Sequence, residues 1–124
     1  MNNHKINHRF GQIIVQHHAA PPHLLIQAVG YVNPKMLQET LVIAEVFGQQ
    51  QPNGWDYVVD TTKLKIAHPL NPIWLRKIHK LPNLNRYIVV NPPFFLMRLL
   101  SPLIKRLLGP DIILNSVDEL ETLL

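Results

Sequence analysis

Asp60 and His68 are the residues closest in sequence that could act as an acid–base pair, and a proton shuttle between a carboxylate and an imidazole is the chemistry they would support. They share the stretch Trp55 to Leu75, WDYVVDTTKLKIAHPLNPIWL, with two hydroxyls, Thr61 and Thr62, and an amide, Asn71. A catalytic dyad needs hydrogen-bond reach and a cleft, which spacing along the chain does not supply, so the expectation is a non-enzymatic protein with Asp60 capping the loop or the amides that follow it. Thr61 and Thr62 are likewise expected to bond to nearby backbone rather than to carry a modification. Seven histidines raise the question of a metal. His4 and His8 sit in a polar N-terminus, while His17, His18 and His23 point in different directions around a hairpin. No cysteine or acid stands beside them to finish a coordination shell, so neither metal nor cofactor is expected.

The elements that position these residues follow from apolar patterning. Gln12 to His18 and Leu24 to Val32 are rich in β-branched and apolar residues, and the Ala19-Ala20-Pro21-Pro22 break between them predicts an antiparallel hairpin. Gly30, inside the second strand, predicts a bulge or a close backbone approach. Asn33-Pro34 is a capping pair for a helix whose inward face is Met36, Leu37, Thr40, Leu41, Ile43, Ala44 and Phe47, with Gly48 as its left-handed end. Tyr57-Val58-Val59 reads as a buried strand, and Thr61 onward reads as a loop pinned by Leu64 and Ile66. Asn71-Pro72 opens a second helix with Ile73, Trp74 and Ile78 inward, and Arg86 to Val90 is the next buried strand. Phe94 to Leu108 is a third helix, Asp111 to Asn115 a last strand, and Ser116 with Glu119 has capping-box spacing before a C-terminal helix. The predicted order is β-β-α-β-α-β-α-β-α. It describes one α/β domain over residues 11–124, a mixed sheet of about five strands with helices mainly on one face, after a loose segment at 1–10.

Composition narrows the function classes. The 124 residues are 47% hydrophobic and 16% charged, as for a folded chain with one core. Without cysteine there is no disulfide or thiol nucleophile. No secretory leader or apolar run of membrane-spanning length is present, which makes a cytoplasmic location the expectation. The net charge of +4 is uneven: residues 1–62 carry three basic and four acidic side chains, residues 63–124 nine and four. No acid occurs between Asp60 and Asp111, so a basic face is expected there.

Three motifs at the joints resemble the STAS domain, the fold of bacterial anti-sigma factor antagonists and of the cytoplasmic domains of sulfate transporters. They are the strand–turn–helix run LLIQAVGYVNPKMLQETL, the strand ending Val58-Val59-Asp60, and the last strand running into a Ser-capped acidic helix, IILNSVDELETL. The resemblance spans Gln12 to the C-terminus and is nearest to a divergent bacterial STAS-like group related to CRAL-TRIO lipid-binding folds. It implies a regulatory module that works by protein contact. In the phosphorylated members an Asp-Ser pair follows that Asp by about eight residues, and a partner kinase modifies the Ser. Here His68-Pro69 stands at that point, and Pro69 has no hydroxyl, so no phosphorylation site carries over.

The helix Phe94–Leu108 is apolar except for a stripe of Arg98, Ser101 and Lys105, with Arg106 to one side and Pro102 inside it. Its extra apolar side either packs between the sheet and neighbouring helices or forms a homodimer or partner surface through Phe94, Phe95, Met97, Arg98, Leu99, Lys105 and Arg106, and the latter is the working expectation. The alternative is an apolar ligand, a lipid, or an anionic membrane surface under the same helix. Nucleic acid is not expected, because aromatic and basic residues do not interleave.

Overall fold

The computed structural model describes residues 3–67, 72–92 and 111–124. Its frame is one six-stranded mixed sheet in the order β1-β2-β3-β4-β5-β6, so that spatial order follows chain order. Strands β1 (Asn3–His8), β2 (Gly11–Ala19) and β3 (Pro22–Val32) form an antiparallel meander. Helix α1 (Pro34–Gln49) leads to β4 (Trp55–Ala67), and α2 (Pro72–His79) leads to β5 (Leu84–Val90). The sheet closes with β6 (Ile112–Leu114), followed by α3 (Val117–Leu123). From β3 onward all neighbours are parallel, as βα crossovers require.

Residues 3–8, expected to be loose, form β1. The segment is polar except for Ile6, so it carries no alternating pattern of its own. Its pairing is set by the neighbouring strand: Ile6 registers with Ile13 and is buried under α1, while His4 pairs with Val15. That strand raises the expected five to six. A second correction concerns Thr61–Ala67, which continue β4 instead of forming a loop. Two register shifts keep them paired with β3: Gln27 faces Asp60 but Val29 faces Lys63, and Gly30 faces Leu64 but Tyr31 faces Ile66. Gly30 permits this by adopting φ of 72°, and a Cβ there would stand 2.6 Å from the carbonyl oxygen of Phe10, so both the bulge and the close approach are present.

Both faces of the sheet are used. One side buries Ile13, Val15, Leu24, Ile26, Tyr57, Val59, Tyr87 and Val89 beneath α1 and α2. The other buries Val58, Ile88, Val90 and Leu114 against Leu120 of α3. Among the described helices two therefore lie on one face and one on the other, since adjacent residues of β4 and β5 are apolar on both sides.

Helix α1 starts as predicted: the Met36 amide donates to the Asn33 side chain at 2.9 Å, and Pro34 occupies the first turn. Its end differs. Gly48 is inside the helix and buried, and Gln50 caps it in right-handed geometry. In α2, Leu75 and Ile78 are buried and Trp74 is half-buried with the Lys77 ammonium 4.5 Å above its ring, so Leu75 is the inward residue the pattern missed. At α3, Ser116 makes no side-chain cap; the Asn115 amide instead donates to Glu119 Oε2 at 3.0 Å.

Candidate functional site

The bulge in β4 gathers the polar residues singled out in the sequence. Asp60 is 8% exposed and faces the side of the sheet opposite α1. Its Oδ1 accepts from the Thr62 hydroxyl at 2.6 Å and the Thr62 amide at 3.0 Å, a local Asx-type arrangement that satisfies a backbone donor freed by the register shift. Thr61 points the other way and is buried; its hydroxyl is shared between the carbonyls of Val90, at 3.0 Å, and Asn91, at 3.1 Å. Asn91 adopts left-handed geometry, φ of 51°, and its side-chain amide donates to the Thr62 hydroxyl at 3.3 Å. The three residues Asp60, Thr61 and Thr62 thus tie β4 to the end of β5.

Beside this network lies a cleft of about 300 Å³ lined by Gln12, Ile14, Gln27, Val29, Asp60 and Lys63. It lies on the sheet face opposite α1, over the middle of β2, β3 and β4. His68, Pro69 and Asn71 lie outside the described residues, and among the described residues the bonds to Asp60 come from Thr62. Phe94, Phe95, Met97, Arg98, Leu99, Lys105 and Arg106 also lie outside the described residues.

The opposite end of β4 holds a pair that sequence reasoning missed. Asp56 and Arg86 are in parallel register and form a bidentate ion pair, Nη2 to Oδ2 at 2.6 Å and Nε to Oδ1 at 3.1 Å. Hydrogen bonding to Asp56 raises the Arg86 guanidinium pKa further, against the opposing effect of burial. A separation of thirty residues leaves no local signal for such a pair.

The same row across the sheet continues into histidine. His18 and His23 stack with ring centroids 4.3 Å apart and planes 2° apart, and His23 Nδ1 donates to the Pro21 carbonyl at 2.8 Å. On the other face His17 sits 4.9 Å from the His4 ring and edge-on to Phe47. Parallel imidazoles carry their lone pairs in parallel planes and cannot converge on one ion. Among the described residues no group of three or more His, Asp or Glu side chains could hold a metal.

Burial is the main cause that lowers the pKa of both His17 and His23 below 6.5; for His23 the Pro21 carbonyl and Asp56 act in the opposite sense. The unfolded chain therefore binds more protons in acid, and stability is expected to be full above pH 6.5 and to fall as pH drops below it. Urea midpoints at pH 7.5 and 5.5 check this, and His17→Phe should reduce the difference. A midpoint unchanged between the two pH values would refute it.

Between α1, α2 and the sheet, Ile26, Leu41, Trp74, Tyr57 and Tyr87 line an apolar cavity of about 30 Å³. That is room on the scale of a water molecule and not of an acyl chain. Burial pushes both phenols well above the usual tyrosine range, so Tyr57 and Tyr87 stay neutral.

Fold and site together define a mixed-sheet α/β protein whose polar cluster sits on the bulged half of its central parallel strand. No helix among the described residues is long and apolar enough to cross a membrane. No protein-family model, curated protein or solved structure matches the chain.

Proposed function

We propose that this chain is a cytoplasmic, non-enzymatic regulatory module of STAS type that acts through protein contact, as a homodimer, without a phosphorylation switch. The observation that carries the reading is the placement of Val58-Val59-Asp60. It is the central strand of a parallel set entered from an antiparallel hairpin, with α1 and α2 as its flanking connections. Asp60 supports the non-enzymatic part, because one of its oxygens is spent on Thr62 within its own strand. Protein contact is supported by α1, which presents Val42 and Val46, each about half exposed and one turn apart, beside a groove of about 240 Å³ flanked by Glu45, Lys77 and Lys80. Size-exclusion chromatography with light scattering is expected to give the mass of two chains, and Val42→Asp with Val46→Asp to give one. A strict monomer of the unaltered chain at high concentration would reject the homodimer.

A further inference from the structure

We propose that the cleft beside Asp60 binds a small zwitterion of the free amino-acid class, with the ligand ammonium on Asp60 and its carboxylate on Lys63. The floor of the cleft is two adjacent rows of the sheet. Ile14, Gln27 and Asp60 are in register across β2, β3 and β4, and Gln12, Val29 and Lys63 form the next row.

Asp60 is the anchor because it is more than nine-tenths buried and only half satisfied. Thr62 supplies both bonds to Oδ1, and no donor among the described residues reaches Oδ2. Asp60 lines the cleft, so its second oxygen is an acceptor that a cationic N–H donor entering the cleft can use. The ion pair of Asp56 with Arg86 is at the far end of the strand and cannot serve.

The neighbours of that oxygen extend the preference for a donor-rich head group. Gln27 makes no side-chain hydrogen bond among the described residues, and Gln12 commits only its Nε2, to Asn7 at 2.9 Å, leaving its carbonyl oxygen open. Carbonyl oxygens from two amides next to a carboxylate match the three N–H bonds of an ammonium. Lys63 is exposed at the rim, one row further along β4, so the two charges that face the ligand are about 7 Å apart at their backbone positions. An α-amino acid spans that interval with one hydrogen bond at each end. Ile14 and Val29 leave an apolar floor for the side chain of the ligand. A volume of about 300 Å³ is at the small end of ligand sites, which suits a single amino acid better than a nucleotide or a lipid.

This inference does not depend on the STAS reading. Its test is saturation-transfer NMR on the full chain with each of the twenty amino acids at millimolar concentration, followed by calorimetry. Binding of at least one is expected, weakened about tenfold or more by Asp60→Asn, which keeps an acceptor for Thr62 and so keeps the fold. Gln27→Leu should weaken it as well. Lys63→Ala should weaken the amino acid but leave unchanged the amine that lacks its carboxylate. No binding by any of the twenty, or binding that Asp60→Asn and Gln27→Leu both leave intact, would overturn the proposal.

Discussion

Replacing Gly48 with alanine is expected to destabilise the protein by about 2–3 kcal/mol, although glycine to alanine within a helix ordinarily stabilises by about 1 kcal/mol. The reversal comes from what the helix packs against. A Cβ on Gly48 would stand 2.5 Å from the Pro82 carbonyl oxygen and 2.8 Å from Trp55 Nε1. Those two atoms are already joined, Nε1 donating to that oxygen at 2.7 Å, and Asn83 donates to the Gly48 carbonyl at 3.0 Å. Trp55 is 1% exposed and wedged edge-on to Phe47, so it has no room to yield. The methyl group must therefore break the Trp55 hydrogen bond or shift α1 off the sheet. Urea denaturation of Gly48→Ala measures this, and a variant as stable as the parent, or more so, would show that the joint can relax.

Arg86→Ala carries the second large effect, a loss of about 2 kcal/mol. Removing one partner of a buried ion pair costs about 3–5 kcal/mol because the other charge is left without a partner. The Arg86 side chain is 35% exposed against 7% for Asp56, so water and salt reach one end of the pair and the figure is reduced accordingly. The mechanism is testable separately from the magnitude. Asp56→Asn placed on top of Arg86→Ala should restore much of the loss, since it removes the stranded charge. Arg86→Lys should restore little, because an ammonium cannot make the two-point contact. A double variant no more stable than Arg86→Ala would mean that packing of the arginine stem, not the charge of Asp56, sets the cost.

Local chemistry was enough to read the α/β character of this chain. The apolar runs 12–18, 24–32, 57–59 and 86–90, the Asn33-Pro34 cap and the 3.6-residue repeat of α1 are signals that act within one helical turn or one strand. They do not depend on what a segment will meet, and from them the hairpin followed by βα units emerges. What the sequence left undecided depends on partners far along the chain. The strand Asn3–His8 exists because Ile13 gives Ile6 something to pack beside, and a single isoleucine among polar residues carries no period. The continuation of β4 past Asp60 depends on β3 bending at Gly30 to follow it.

Gly48 shows the division most clearly. By itself a glycine after an amphipathic run is a stop signal, and it became a packing residue only because Trp55 and Pro82 close on it from elsewhere. Asp60 divides in the same way. Its bond to a following amide was legible from residues 57–62, whereas the strand that was expected to end there runs on to Ala67. The register of Asp60 with Gln27, one row from Lys63, was not legible, because parallel register is set by the packing of β3, α1 and β4 as a unit and not by any residue near Asp60. Patterning within a few residues thus determined which elements form, while register across the sheet, a property of the packed whole, decided which side chains meet.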